Sequence, residues 1–282
     1  MNEEGLSLVS HGPLVAKARE AAGSSDHVVV TFCDSTYRDV LRNWLAALDR
    51  LADVPVLVVA LDDRLACELE EKQVPVCYLP CDAQANAIWS LRAQAIYALV
   101  AAGLNVIHSD VDAVWIKNPM ALLERIEADI VSSQGTVYPP ECHARWGHVL
   151  CYGFIYFRPS CATIELLREA AEIALMEEQF DDQRYLNHQL LTRGVRWSIS
   201  SPYRVSFGSR WFTCSLGPIM GTCELQSAGV RIAVIPHAYV QRLPNGIEDE
   251  AVRYVCHPLS PKDALQKKEV LRQNAAWFIA DE

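Results

Sequence analysis

Two aspartates one residue apart, Asp110 and Asp112, end the apolar run LNVIHS and precede a second apolar run, AVWI. Two carboxylates set so close inside buried-type sequence cannot both stay ionised without a positive partner. A divalent cation is the natural one. Mg²⁺ or Mn²⁺ takes hard oxygen ligands and commonly shares its shell with substrate phosphates. The rival reading is that one aspartate caps the next helix while the other is solvated, and the apolar residues on both sides weigh against it.

Such a pair needs a rigid strand to present it. HVVVTF (27–32), VPVLVVAL (54–61), VPVCYL (74–79) and LNVIHS (104–109) are short β-rich runs separated by helical patterns. The helical patterns lie at YRDVLRNWLAALDRL (37–51), LACELEEK (65–72) and IWSLRAQAIYALVAAG (88–103). Strand and helix in alternation predict a doubly wound α/β sheet, mostly parallel, whose ligands sit at the carboxyl ends of the strands. Asp110 and Asp112 stand at such an end. Further on, NPMALLERI predicts a helix, ADIVSSQG and CYGFIYFRPS strands, and ATIELLREAAEIALMEE and DDQRYLNHQLLTRG helices. VRWSIS, YRVSFG and VRIAVIPHAYV are strand candidates, and PKDALQKKEVLRQNAAWFI predicts a terminal helix. The expectation is one domain over 1–282, with a nucleotide-binding half at about 27–135 and an acceptor half at about 136–282.

The 282 residues are 51% hydrophobic and 21% charged, enough apolar material for a sizeable core. The net charge of −10, with scattered lysines and arginines, argues against a nucleic-acid partner. Ten cysteines at irregular spacing form no CxxC, and several lie inside apolar runs. They are expected to be reduced thiols in a cytoplasmic protein. The polar start MNEEGLSLVSHG does not resemble a signal peptide, and no apolar run reaches the ~20 residues of a membrane span. The stretch 136–150 carries Tyr138, His143, Arg145, Trp146 and His148. It is expected to form an acceptor-binding wall, since aromatic faces pack on sugar rings, or else a structural flap. Trp211 and Phe212 are candidates of the same kind.

HSDVDAVWIKNP is similar to the signature of the DxD nucleotide-diphospho-sugar transferases of GT-A fold, a family that includes the plant rhamnogalacturonan xylosyltransferases (glycosyltransferase family 77). VVVTFCDSTYRDVLRNWLAALDRLADVPVLVVALD resembles the family's first strand, its Asn-Trp helix and its second strand ending in Asp. CYGFIYFRPS, DDQRYLN and HPLSPKDALQKKEVLRQNAAWF resemble three further blocks in the same order.

The resemblance implies a glycosyltransferase that moves a sugar, with retention of configuration, from a UDP- or GDP-sugar to a hydroxyl of a small molecule, protein or glycan. It implies that Asp110 and Asp112 hold Mn²⁺ or Mg²⁺ against the donor diphosphate, with Ser109 and Val111 beside the donor. His257 is implied as third ligand, with His237 as the rival, and Lys262 as a phosphate contact, with Lys267 or Lys268 as alternatives. Thr31, Asp34 and Tyr37 follow the first strand, where such folds place the base and ribose; Tyr37 fits a helix-start core position equally well. Arg92 is an expected donor contact or an exposed helix charge. Asp182 and Gln183 are expected beside the anomeric carbon, either positioning the sugar or supplying a carboxylate nucleophile, while Asp181 caps the helix.

Two departures stand out. Cys151-Tyr152-Gly153 lacks the Asn that the family often places before the Gly, and no N-terminal membrane anchor like that of the plant members is visible. The rival functions are a haloacid-dehalogenase-type phosphatase, whose first motif is also a strand followed by DxD, and a non-catalytic nucleotide-sugar-binding protein.

Overall fold

The structure is a computed structural model, and it describes residues 11–81, 87–226, 228–243, 252–259 and 262–280. Its nucleus is four parallel strands: β1 (His27–Cys33), β2 (Val56–Ala60), β3 (Val76–Tyr78) and β4 (Asn105–Ser109). Val28, Val29 and Val30 are wholly buried, as a parallel strand covered on both faces requires. The cover on this half comes from helices α1 (Gly12–Ala22), α2 (Arg38–Leu48), α3 (Asp63–Glu71) and α4 (Ala87–Ala101). After β4 come the two-residue strand β5 (Val114–Trp115), α5 (Met120–Arg125), β6 (Ile130–Gln134), α6 (Pro140–Trp146) and β7 (Leu150–Phe157). Helices α7 (Cys161–Met176) and α8 (Asp182–Thr192) follow, then β8 (Arg196–Ser198), β9 (Pro202–Phe207), β10 (Arg210–Ser215), β11 (Ile219–Glu224) and β12 (Gly229–Val234). The chain finishes with β13 (Val240–Gln241), β14 (Val255–Cys256) and α9 (Ala264–Gln273).

The main sheet has nine strands in the order β3-β2-β1-β4-β7-β6-β12-β11-β8. Only β7 and β11 oppose the common direction, so the sheet is mostly parallel and draws strands from both halves of the sequence. β9 and β10 form a separate hairpin, and β13, β14 and β5 a three-stranded patch. Among the described residues no helix is long and apolar enough to cross a membrane.

Three local expectations change. The stretch 136–150 is not a plain loop: it folds into α6, closed by Gly147 at φ 77, a left-handed stop that suits glycine. The terminal helix stops at Gln273, well short of Ile279, and Ala275 then turns with φ 53. Strands β10 and β11 were not foreseen. The polar starting sequence at residues 1–10 lies outside the described residues.

Candidate active site

β4 runs directly into the carboxylate pair, and the backbone there is closed on itself. The Asp110 N–H donates to the Gly153 carbonyl of neighbouring β7 at 2.8 Å, and Ala113 N–H donates back to the Asp110 carbonyl at 2.9 Å. Beneath this turn the Ser109 hydroxyl accepts from the indole N–H of Trp44 at 3.3 Å and of Trp115 at 3.2 Å. The tryptophans of both signature stretches are thus buried clamps on one hydroxyl. Asn43, beside Trp44, donates to the Ala276 carbonyl at 2.9 Å and accepts from Phe278 N–H at 2.6 Å, pinning the C-terminal segment.

β5 leaves the turn and pairs antiparallel with β14, with Val114 opposite Cys256. The residue after Cys256 is His257, so this register delivers its imidazole to the carboxylates. Each aspartate has one oxygen taken and one left over. Asp110 Oδ1 accepts from Arg92 Nη1 at 3.1 Å, and Lys267 Nζ binds Asp112 Oδ2. The remaining oxygens face His257 Nε2, at 3.9 Å from Asp110 Oδ2 and 3.6 Å from Asp112 Oδ1. One ligand atom of each residue lies within 4.8 Å of the others. Two carboxylate oxygens and an imidazole nitrogen form a donor set that suits Mn²⁺ or Mg²⁺, and for Mn²⁺ the nitrogen is an advantage.

Gly153 leaves room for that set. A Cβ built there falls well inside 3.0 Å of both Asp110 Oδ2 and His257 Cε1. This is the clearest site residue that the sequence reading passed over, and its signal was a glycine inside the otherwise bulky strand LCYGFIYF.

The electrostatics keep the carboxylates charged. Burial alone raises Asp110, but its contacts with His108 and Arg92 hold it far below the usual carboxylate range. Burial likewise opposes ionisation of Asp112, and His257 and Lys267 pull it far below that range. For His257, burial and the Arg242 guanidinium push the proton off, yet Asp112 and Cys151 outweigh them and raise its pKa above 6.5. Arg242 Nη1 sits 2.8 Å from His257 Nδ1 and 3.3 Å from Cys151 Sγ. Against the burial of Cys151, Arg242 and then His257 lower that thiol to about 7.

Arg92 is a strut within the site. It is 7% exposed, its Nε and Nη2 grip both oxygens of Asp182 at 2.5 and 2.8 Å, and its Nη1 reaches His108 Nε2 at 3.1 Å as well as Asp110. His108 Nδ1 meets the Val30 carbonyl at 3.2 Å, and its Nε2 lies 3.2 Å from Asp110 Oδ1 as well as beside Arg92. Burial and Arg92 lower the pKa of His108. The reading of Arg92 as an exposed helix charge is therefore replaced. Asp181 caps α8, accepting from Arg184 N–H at 2.8 Å. Gln183 accepts from Tyr152 N–H at 3.1 Å and donates to the Tyr138 carbonyl at 3.0 Å, tying β7 to the chain before α6.

These groups line a cavity of about 900 Å³ whose walls also include Asp34, Tyr37, Trp89, Val111, Tyr138 and Lys262. Asp34 folds back to accept from Thr36 N–H at 3.0 Å, and Tyr37 O–H donates to the Lys262 carbonyl. Lys262 Nζ lies 4.8 Å over the Trp89 ring, so Lys267 is the lysine that reaches the carboxylates, while Lys268 stacks on Trp277.

Several expected residues stay away from the cavity. Thr31 and Ser109 are wholly buried, Thr31 inside β1 and Ser109 under the indoles, and neither lines it. His237 is buried against Phe212, accepts from Arg242 and Leu243 N–H at 3.4 Å, and has its pKa lowered to about 4 by burial, so it is a core histidine. Of the acceptor-wall residues only Tyr138 lines the cavity. α6 carries the others off: His143 binds the Trp211 carbonyl at 2.9 Å, Arg145 points to solvent, and Trp146 packs on Trp197.

The family profile described as nucleotide-diphospho-sugar transferase matches residues 52–262, most of the chain. Among curated proteins, arabinosyltransferase RRA2 of Arabidopsis thaliana is 27% identical over 208 residues, 64% of this chain and 48% of that protein. Beta-arabinofuranosyltransferase RAY1 of the same plant is 26% identical over 54% of this chain and 31% of that protein. The chain thus spans about half, or less, of the length of these relatives. Among solved structures, glycosyltransferase GlyE of Streptococcus pneumoniae TIGR4 aligns with a TM-score of 0.39 and 13% identity, over 58% of this chain and 42% of that one.

Proposed function

Since the chain belongs to the nucleotide-diphospho-sugar transferase family, we propose that it transfers a sugar from a nucleotide-diphosphate donor to an acceptor hydroxyl, using a divalent cation. The observation that carries this reading is the convergence of one free oxygen from each of Asp110 and Asp112 on His257 Nε2, at the wall of the cavity. A cation held there, Mn²⁺ or Mg²⁺, supplies charge neutralisation for the departing nucleoside diphosphate. Lys267, already at Asp112, is placed to share that negative charge.

In the reaction the acceptor oxygen bonds to the anomeric carbon. The bond from that carbon to the diphosphate oxygen breaks with its electron pair going to the diphosphate, and the acceptor proton passes to a phosphate oxygen. We read the outcome as retention by attack on the face the diphosphate leaves. What supports this over a covalent intermediate is Arg92: with both Asp182 oxygens gripped by one guanidinium, that carboxylate is a poor nucleophile. Its remaining lone pairs suit hydroxyls of the donor sugar.

Because the relatives are named as arabinosyltransferases, a pentose donor is the first to try. A reducing, cytoplasmic setting belongs to the same proposal, and the support for it is ten cysteines held as free thiols, most of them buried. The test is nucleotide release from a panel of UDP- and GDP-linked pentoses and hexoses, with Mn²⁺ and with EDTA, for the wild type and Asp112→Ala. Metal-dependent release from one donor, lost in the variant, is expected. Phosphate freed from a simple monoester, with no nucleotide released, overturns the reading in favour of a phosphatase.

A further inference from the structure

The cavity that holds the carboxylates is lined by six Asp side chains and by four Lys or Arg side chains. A donor diphosphate brings further negative charge into it, so the engagement of those four cations decides where the anion can rest. Three are already occupied. Arg92 grips Asp182 and reaches Asp110, Lys267 binds Asp112, and Lys262 lies over the Trp89 ring. Arg242 is different. Among the described residues no carboxylate pairs with it, and its Nε is buried and meets no acceptor. Its Nη1 is turned toward an imidazole and a thiol, 2.8 Å from His257 Nδ1, 3.0 Å from His257 Nε2 and 3.3 Å from Cys151 Sγ. A guanidinium offers only donors, and holding one half-buried without an anion is costly.

The backbone fixes the guanidinium in this place. β13 and β14 pair in parallel, with Val240 beside Val255 and Gln241 beside Cys256. The residues that follow, Arg242 and His257, continue side by side into the cavity wall. His257 N–H donates to the Gln241 carbonyl at 3.0 Å, and Leu259 N–H to the Arg242 carbonyl at 2.9 Å. Arg242 N–H donates to Nε2 of the core histidine His237 at 3.4 Å. The register that delivers the imidazole therefore delivers the guanidinium with it. His257 Nε2 faces Asp110 and Asp112, and Arg242 Nη1 stands 3.0 Å from that same nitrogen. A cation on the carboxylates and the guanidinium of Arg242 are thus neighbouring like charges. An anion set between them relieves the repulsion, and a diphosphate has oxygens enough for both.

We infer that Arg242 is a diphosphate-binding residue, whose guanidinium receives the donor's phosphate oxygens on the His257 side of the site and couples their binding to that of the cation. The inference rests on the transferase reading above and adds to it a residue and a coupling between two ligands. A fork of N–H donors matches phosphate oxygens in geometry as well as charge, which the point charge of a lysine does not. Two consequences follow. Arg242 belongs to the chain, so the site keeps affinity for a diphosphate when metal is withdrawn. Without a diphosphate, the same guanidinium lowers the affinity for the cation. Each ligand therefore favours the other, and by the same factor in both directions.

The experiment is titration calorimetry with inorganic pyrophosphate in EDTA, and separately with Mn²⁺ alone, on the wild type, Arg242→Gln and Arg242→Lys. The wild type is expected to bind pyrophosphate without metal. Arg242→Gln weakens that binding at least about tenfold, and Arg242→Lys recovers only part of it. Arg242→Gln also tightens Mn²⁺ binding, by at least about threefold, because a like charge has left the neighbourhood. Opposite movements of the two affinities separate this role from a loosened site, which would weaken both. Melting temperatures near that of the wild type verify that the variants fold; should Arg242→Gln not fold, a wild type that binds no pyrophosphate in EDTA still overturns the inference. Unchanged pyrophosphate affinity in a folded Arg242→Gln protein overturns it as well. So does a loss confined to UDP-glucuronate, with pyrophosphate and UDP-glucose unaffected, since that assigns Arg242 to a carboxylate on the sugar. Pyrophosphate binding that depends on Arg242, with no nucleotide released from any donor, sinks the transferase reading and leaves this one standing; nucleotide release with a diphosphate affinity indifferent to Arg242 does the reverse.

Discussion

Replacing Gly153 by Ala adds one methyl group, and its consequence can be worked from the geometry. The new Cβ would lie well inside 3.0 Å of Asp110 Oδ2 and His257 Cε1, and 3.1 Å from Asp110 Cγ. Ordinary contact needs about 3.5 Å, so each of the two neighbours must yield by roughly 1 Å. Neither is free to do so. Asp110 is fixed by Arg92 and by its own backbone bond to Gly153, and His257 by Arg242 and its strand. Metal sites tolerate ligand shifts of only about 0.2 Å, so two of the three ligands leave position and the affinity for Mn²⁺ should fall by about a hundredfold. Overpacking should also lower stability by about 1–3 kcal/mol, which leaves a folded protein to measure. Manganese binding by electron paramagnetic resonance, together with nucleotide release, reads the effect. Full Mn²⁺ affinity in a folded Gly153→Ala protein would refute the assignment of the ion to this cluster.

Four further outcomes follow from the same contacts. Because His257 has a raised pKa, its proton stabilises the metal-free fold below pH 6.5, and that contribution is lost as pH climbs through the raised value. Metal affinity should move the opposite way, rising across that window, while Asp110 and Asp112 remain ionised throughout; calorimetric titration at several pH values measures both. Arg92→Lys keeps a charge but loses the fork on Asp182, so nucleotide release should slow by about a hundredfold and chemical denaturation should show a loss of about 3 kcal/mol. Lys267→Met frees Asp112 Oδ2, so the donor-free protein should bind Mn²⁺ more tightly while KM for the donor rises about tenfold; weaker Mn²⁺ binding would contradict the placement. Ser109→Ala leaves the buried Trp115 indole N–H without its partner, while that of Trp44 keeps the Ala113 carbonyl at 3.2 Å, and thermal melting should register about 1–3 kcal/mol of lost stability.

The carboxylate pair was readable from sequence because period and chemistry coincide there: an apolar strand stops at two acids, and only the carboxyl end of a sheet makes sense of that. The parallel half of the fold was readable for the same reason. The choice between His237 and His257 was not. Both follow short apolar runs, and what separates them is the register of β14 on β5, a pairing of distant segments that neither run encodes locally. Lys262 and Lys267 were equally hard to separate, since the difference lies in which way α9 and its approach face the site. The helix α6 hid inside a stretch whose prolines and cysteines imitate a loop. Its aromatics were read as a wall of the cavity, whereas Trp146 spends its ring on Trp197. Strands β10 and β11 escaped because glycine, cysteine and serine dilute their alternation.

The register that brings in His257 has a consequence for the lifetime of the protein. The aspartates and the histidine lie more than a hundred positions apart, and the segment bearing His257 joins the body through strands of two residues each. An ion held by all three therefore fastens the C-terminal part of the chain across a long loop. The scattered ligands of an unfolded chain cannot hold it equally well. At a hundredfold excess over its dissociation constant, such an ion adds about 2.7 kcal/mol to the folded state. Metal supply would then govern how long the molecule resists proteolysis as well as how fast it turns over.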